Sequence, residues 1–499
     1  MSELKKIWFI FKVQTFFLEG TIIMSSLFEL SATQLAQMIR NRQISSRDVV
    51  DAHIFRIKRM NPIINAVVQD RFDDARKEAD LADQKIAQGN IDDNQPFLGV
   101  PCTIKESFCL TGMPNSAGLV SRKNFIAQQD ATAVDRIRKA GAIPLGVTNV
   151  SEMCLWMECF NNVYGLTKNA YRTNRTPGGS SGGEGAIISV GGSPFGLGSD
   201  IGGSIRMPAF FNGVFGHKPS AGLIPNSGHF PEESEGVSGI STTGPLCRRA
   251  EDLMPLLNIL AGPDDIDPGC HPIPLQTVES VNIEDLTVYN CPVKPIMNVS
   301  SDLFAAQHQC VGALKNMGAS IKEGIYIDNF KIVEMWGALL KSVSQTPFAR
   351  TLGDGIAVKP LEELFKWMFG KSDYTLPGIG MVLIDEFPYS KKKTQKLCQE
   401  IDRLKNGLIE IMGSSGIMLF PSHPTTAPRH YLSLFTPHRW GFTGLFNILG
   451  FPATQVPLGL NNHCLPTGIQ VVATPGNDHL TIAVAMALEK IFGGWVMSS

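Results

Sequence analysis

Apolar positions recur along the chain with two different periods, and the alternation between them predicts its architecture. Ser45 or Ser46 stands where it can cap a helix whose Val50, Ile54 and Ile57 share a face; Asn61-Pro62 is expected to stop that helix, and the β-branched run INAVV then reads as a strand. Residues 71–88 read as a second, charged helix. Asp130 is expected to cap the helix in DATAVDRIRKAG, with Val134 and Ile137 on one face, Gly141 ending it and residues 143–147 forming a buried strand. Residues 303–317 followed by GASIKEGIYI repeat that order. The closing runs GIMLFPSHPTTAP, FPATQVPLGL and GIQVVATPGNDHLTIAVAMALEKIF return to short strands and a helix, so they complete the same sheet. Repeated helix, glycine and apolar-strand units imply an α/β fold with helices on the faces of a sheet.

Between residues 330 and 383 the texture changes. Phe330, Val333, Trp336, Gly337 and Leu340, then Leu361, Leu364, Phe365 and Met368, make two stripes of helical period separated by TLGDGIAV. Core packing is the expected use of both, because any buried helix shows one apolar face; the alternative is a substrate-lining cap over 326–400. At the N-terminus, Lys5 and Lys6 precede IWFIF, and Lys12 and Glu19 interrupt the apolar stretch beyond it. No uncharged apolar run reaches the roughly 18 residues of a membrane span. Residues 1–28 therefore form an apolar leader that either lies at a membrane interface or is a disordered or buried extension, ahead of one globular unit over 29–499.

Composition narrows the class. A chain of 499 residues, 43% hydrophobic and 18% charged, is globular and larger than a typical single core. Lys plus Arg number 44 against 46 for Asp plus Glu, and a net charge of −2 offers no broad attraction to phosphate backbones, which argues against nucleic acid as a partner. The ten cysteines show no CxxC pair or zinc-like spacing and read as reduced thiols in an intracellular protein. The sequons at Asn149, Asn174 and Asn298 carry no weight, since such triplets arise by chance.

The chemistry concentrates in residues 176–219, where Ser180 and Ser204 sit among glycines with no histidine between them. The nearest histidines in sequence are His53 and His217, so the base for a serine nucleophile here is sought in another residue type, and Lys105 in GVPCTIKESF is the candidate. Amide hydrolysis needs a deprotonated hydroxyl, a stabilised oxyanion and a protonated leaving nitrogen. Ser204 follows Asp200-Ile201-Gly202-Gly203, where two glycines allow a tight turn whose N–H groups converge; it is the candidate nucleophile. Ser180, between Gly178-Gly179 and Ser181-Gly182-Gly183, is the candidate proton relay. Burial of Lys105 beside Ile104 and Phe108 would lower its pKa from about 10.4 toward about 7 to 8, where the neutral amine acts as a base.

Other residues take lesser roles. Asp200 and Arg206 are expected to pair and brace the loop, with Ser181 as a further support. Glu184 is expected to cap or pair locally, His217 and Lys218 to form a polar pair, and His423 and His430 to lie in surface loops. No metal or cofactor is expected. A rival reading, nucleotide binding, rests on Gly196-Leu197-Gly198 with Gly202 and on the cluster at 178–183; it fails because no Lys-Ser or Lys-Thr follows the cluster and Pro208 stands where a Rossmann helix should run.

PGGSSGGEGA, GSDIGGSIRMPAFFNGVFGHKPS and GVPCTIKESF together resemble the amidase signature family, and the likeness spans roughly Leu30 to the C-terminal helix. The resemblance implies a large mixed β-sheet covered by helices on both faces, and a Ser-Ser-Lys triad of Lys105 as base, Ser180 as relay in a cis peptide and Ser204 as nucleophile. It also implies that the N–H groups of Ile201, Gly202, Gly203 and Ser204 donate to the oxyanion. Within the family, LGVPCTIKESFCLTGMPNSAGL and GAIPLGVTNVSEMCLW are most similar to animal fatty-acid amide hydrolases of type 2. Implied substrates are N-acyl ethanolamines or primary fatty amides, with membrane-surface contact and a homodimer among the expected partners. A glutamine-hydrolysing subunit of a transamidation complex, or a short-chain amidase, is the alternative.

Overall fold

The computed structural model describes residues 27–232, 236–291, 299–323, 329–344, 346–385 and 390–498. The expected contact of residues 1–28 with a membrane therefore falls almost wholly outside the described residues. Thirteen strands are described: β1 (Val67–Asp70), β2 (Pro101–Lys105), β3 (Ile143–Thr148), β4 (Phe160–Asn161), β5 (Gly165–Leu166), β6 (Phe195–Asp200), β7 (Phe215–Lys218), β8 (Thr242–Cys247), β9 (Thr287–Asn290), β10 (Ser320–Glu323), β11 (Gly416–Phe420), β12 (Ala453–Leu460) and β13 (Pro466–Ala473). β4 and β5 pair apart; the other eleven form one sheet in the order β1-β3-β2-β6-β8-β7-β12-β13-β11-β9-β10.

The sheet is mixed. β3, β2 and β6 run parallel, as do β11, β9 and β10, while the strands between these flanks are antiparallel. Every residue of β2, β3, β6, β7, β8, β11 and β13 is buried, so β11 (Gly416–Phe420) reads as a continuous apolar run without alternation, while β2, β6 and β7 carry buried polar side chains toward their ends. The Asp478–Phe492 helix packs on β12 and β13, and the closing strands join the main sheet, as the sequence implied.

Local signals hold in some places and not in others. Ser45 caps the Ser46–Ile64 helix through a bond from the Asp48 N–H, but the helix passes through Pro62 and ends at Asn65, in the left-handed region. Pro62 removes one N–H bond from the last turn, only two residues before the helix ends, and the Asn61 side chain takes over the exit, accepting from the N–H groups of Ala66 and Val67 at 2.8 Å each. The Thr132–Lys139 helix starts from Ala131. Asp130 is instead held by Thr111 and by the Arg138 guanidinium at 2.6 Å.

The two apolar stripes diverge. In the Asn329–Val343 helix, Ile332, Met335, Trp336 and Ala338 are buried against Phe442, Leu445 and Phe446, close to the expected core packing. The Pro360–Met368 helix contradicts that expectation: Leu361 is 74%, Phe365 60%, Met368 61% and the following Phe369 62% exposed. Helical period reveals that one face is apolar, not what that face meets.

Candidate active site

Strand register builds the site. β2 and β6 are parallel neighbours, with Thr103 opposite Gly196 and Ile104 opposite Leu197, so their carboxyl ends lie side by side. One delivers Lys105, the other Ser199 and Asp200, at the edge where open α/β sheets commonly place their ligands. The Ser180 segment enters above them and leads into the Gly182–Ser189 helix. Gly179 is required there, since a Cβ would lie 2.4 Å from the Trp156 carbonyl oxygen. The Gly179–Ser180 peptide is cis. The Ser181 N–H donates to the Ser204 carbonyl at 3.2 Å, which ties the two serine segments together, and the Ser181 hydroxyl reaches the Ser199 carbonyl at 3.4 Å.

Lys105 is wholly buried, and its Nζ lies 2.8 Å from Ser180 Oγ and 2.8 Å from Ser199 Oγ. Burial lowers its pKa below the ordinary 10.5, with the Cys154 thiol and Asp200 acting in the opposite sense. Ser199 is not among the expected residues, although a hydroxyl at the end of a strand beside the lysine strand is a usable signal. Nor is His229, whose Nε2 lies 3.0 Å from Ser199 Oγ and 3.0 Å from Ser107 Oγ. Glu184 does not cap locally: it accepts from the hydroxyls of Thr103 at 2.6 Å and Thr148 at 2.8 Å, across to β2 and β3. Burial pushes its carboxyl up to about 8, so it is largely protonated at neutral pH.

The loop from Ile201 to Ile205 is organised by one carboxylate. Asp200 accepts from the N–H groups of Gly203 at 2.7 Å, Ile205 at 3.1 Å and Arg206 at 3.3 Å, and pairs with the Arg206 guanidinium through two 3.0 Å bonds. Burial alone would raise this carboxyl, but Arg206 holds it well below the usual carboxylate range. Arg206 is satisfied further by Gln470 at 2.8 Å and Asn447 at 2.7 Å. Gly203 has φ of 125°, and a Cβ there would meet Thr443 Oγ1 at 2.0 Å.

Two carbonyls of the loop are turned outward. Ile201 O accepts from Trp336 Nε1 at 2.8 Å, and Gly202 O from Thr443 Oγ1 at 2.7 Å. The N–H and C=O of a trans peptide point in opposite directions, so the Gly202 N–H is aimed away from Trp336 and the Gly203 N–H away from Thr443. The latter is used by Asp200, which leaves Ile201, Gly202 and Ser204 as candidate oxyanion donors from the expected four. Ser204 is 8% exposed.

Other expectations are corrected. His217 and Lys218 do not pair with each other: His217 bridges Thr454 and Asp478, and Lys218 donates to the Pro219 carbonyl. His423 is buried, not on the surface, with burial lowering its pKa to about 3. His430 is partly exposed. Asn149 is buried, which removes that sequon as a modification site. Gly196, Leu197 and Gly198 lie inside buried β6, where no phosphate can reach them. None of the ten cysteines forms a disulfide. Among the described residues no three His, Cys, Asp or Glu side chains gather as a metal site.

Comparison with known proteins gives a consistent result. The Amidase family model matches residues 48–482. Fatty-acid amide hydrolase 2 of Homo sapiens is 46% identical, over 94% of this chain and 90% of that protein. A glutamyl-tRNA(Gln) amidotransferase subunit of Dehalococcoides mccartyi is 28% identical, over 93% of this chain and 98% of that protein. Among solved structures, one of a fatty acid amide hydrolase superposes with a TM-score of 0.79 at 23% identity, covering 95% of this chain and 87% of that one, which shows the shared fold.

Proposed function

The chain belongs to the amidase family and is an amide hydrolase; from that premise we propose that it cleaves fatty-acid amides, N-acyl ethanolamines or primary fatty amides, with Ser204 as nucleophile, Ser180 as relay and Lys105 as base. The observation that carries the chemistry is the 2.8 Å contact between Lys105 Nζ and Ser180 Oγ in a fully buried setting, where a neutral amine is favoured.

In this reading Ser204 Oγ attacks the amide carbon as its proton passes to Ser180 Oγ, whose own proton passes to Lys105 Nζ. The N–H groups of Ile201, Gly202 and Ser204 donate to the oxyanion. The C–N bond then breaks, the departing nitrogen takes the proton back from Lys105 through Ser180, and an ester to Ser204 remains. Water, deprotonated by the same relay, releases the fatty acid.

The lipid assignment draws on the 46% identity to a fatty-acid amide hydrolase and on the surroundings of the loop. Leu155, Ile201, Met381 and Trp440 each pack against the same apolar cluster of Trp336, Phe442 and Phe446, and the Trp440 ring lies 3.3 Å from where a Gly202 Cβ would stand. The 326–400 region then serves as the cap over an acyl chain. Its Pro360–Met368 helix presents Leu361, Phe365 and Met368 outward, while Lys359 and Lys366 beside them pair with Glu362 and Glu363, so an apolar face rather than a net charge suits it to an intracellular membrane surface from which a lipid substrate would be drawn. No helix among the described residues is long and apolar enough to cross a membrane.

Purified protein should hydrolyse oleamide and N-oleoyl ethanolamine faster than acetamide or glutamine, and Ser204→Ala should abolish both turnover and labelling by a fluorophosphonate while leaving thermal unfolding unchanged. Preference for glutamine would transfer the assignment to the transamidation class; persistent labelling of the variant would move the nucleophile elsewhere.

A further inference from the structure

A buried histidine that takes no part in the proposed proton path touches the group that does. The segment of Gly228 to Phe230 is laced to the turn after Lys105: Cys109 N–H donates to the Gly228 carbonyl at 2.9 Å, Phe230 N–H to the Ser107 carbonyl at 2.7 Å, and the His229 ring packs edge-on against Phe108 at 4.9 Å between centroids. The backbone thus places the imidazole behind Lys105, with Ser199 between them.

We propose that His229 is a positioning residue that fixes the direction of the Lys105–Ser199 hydrogen bond and so reserves the lysine lone pair for Ser180. The proposal rests on Lys105 being the base. Its first step is the tautomer. His229 Nδ1 faces the Pro231 carbonyl oxygen at 3.3 Å, and a carbonyl only accepts, so the proton belongs on Nδ1 and Nε2 is left with its lone pair. Burial keeps the ring neutral, lowering its pKa to about 3, with Lys105 acting in the same sense.

The single lone pair of an unprotonated Nε2 faces two hydroxyls at 3.0 Å, Ser199 and Ser107, and in this proposal it takes the Ser199 proton. Ser107 lies at the same distance from Nε2, but it also stands beside the Cys154 thiol, which offers its hydroxyl proton another acceptor. With its proton committed, Ser199 Oγ can only accept from Lys105. A neutral amine has two N–H groups and one lone pair; once an N–H is spent on Ser199, the lone pair is free for the Ser180 hydroxyl at 2.8 Å. The same Ser199 bond serves the ammonium form, so no group reorients as the proton arrives. Without an acceptor at position 229, the Ser199 hydroxyl would turn and compete with Ser180 for that lone pair.

Nitrogen-15 NMR of the full chain labelled in histidine, with the His229 signals assigned by their loss in His229→Gln, reads the tautomer directly. The expected pattern is a protonated Nδ1 and an unprotonated, hydrogen-bonded Nε2; a protonated Nε2 overturns the proposal whatever the variants do. In turnover of oleamide, His229→Leu should lower kcat at least about tenfold with KM unmoved, within the range of an impaired general base. His229→Gln, which keeps a side-chain oxygen as acceptor, should stay within about threefold of wild type. In a Ser199→Ala background the Leu and Gln variants should become indistinguishable, because the hydroxyl they act through is gone. Effects that multiply independently, or a loss confined to KM, refute the role of His229. Activity that persists in Lys105→Ala would instead refute the triad while leaving the tautomer intact, and if His229→Leu fails to fold, the NMR pattern still decides.

Discussion

Lys105 meets two hydroxyls where its motif suggested one. Ser180 lies on the side of the proposed nucleophile and Ser199 on the side of His229, each at 2.8 Å from the amine. A base in this position has two tasks, to take the proton from the attacking hydroxyl and to return it to the leaving nitrogen, and only an amide demands the second. Lys105→Ala should therefore reduce hydrolysis of an oleoyl amide at least about tenfold more than hydrolysis of the matching methyl ester. The acid limb of kcat/KM for the amide should lie below the ordinary lysine value of 10.5, with activity rising as pH rises, because burial favours the neutral form that acts. Equal loss for ester and amide would confine Lys105 to the base role. The meeting of Lys105 with Ser180 was legible because glycines crowd the serine and the amidase resemblance covers both. Ser199, His229 and Glu184 were not, since their partners are set by strand register and by loops distant in sequence, such as Glu184 reaching Thr103 across 81 positions.

At the scale of elements, periodicity locates helices well and misjudges their surroundings. The Asn329–Val343 helix turns Trp336 inward to bond the Ile201 carbonyl, whereas the Pro360–Met368 helix turns an apolar face outward from a pattern that looks no different. Its Phe365 and Phe369 rings stack edge to face at 5.0 Å and form the centre of that exposed surface. Burying a phenylalanine in an apolar medium contributes about 1.5 to 3 kcal/mol. Replacing both by Asp should thus weaken co-sedimentation of the full chain with phosphatidylcholine vesicles at least about tenfold, with turnover of a soluble anilide unchanged. Unaltered vesicle binding would assign membrane contact to another part of the chain. Caps and stops are only partly legible for a related reason: Asn61 and Asp130 are each used by a neighbouring segment, and a one-dimensional pattern does not contain that neighbour.

At the scale of the molecule, the α/β class was legible from the alternation of helix and buried strand, while the strand order was not, because pairing between β2 and β6 or β7 and β12 leaves no trace in either segment alone. The large interior also buries histidines outside the site. His53, bonded through Nδ1 to the Val49 carbonyl and with no described partner at Nε2, has its pKa lowered from 6.5 to about 3 by burial. Above 6.5 the ring is neutral in both folded and unfolded chains and has no effect. As pH falls from 6.5 toward 3 the unfolded chain binds a proton that the folded one refuses, so stability is lost with acidification. Relative to His53→Leu, the wild-type chain should lose about 1.4 kcal/mol per pH unit across that window in denaturant titrations. A constant difference between the two would show that His53 titrates normally. The parallel seam between β2 and β6 has an effect beyond positioning. It delivers Ser199 and Asp200 beside Lys105, and Asp200's partner Arg206 is held by Asn447 and Gln470, 241 and 264 positions further on, so a fragment without the C-terminal strands lacks the braced centre. Recovery of turnover during refolding is therefore a clock for completion of the whole sheet, and should lag behind any optical signal of helix formation.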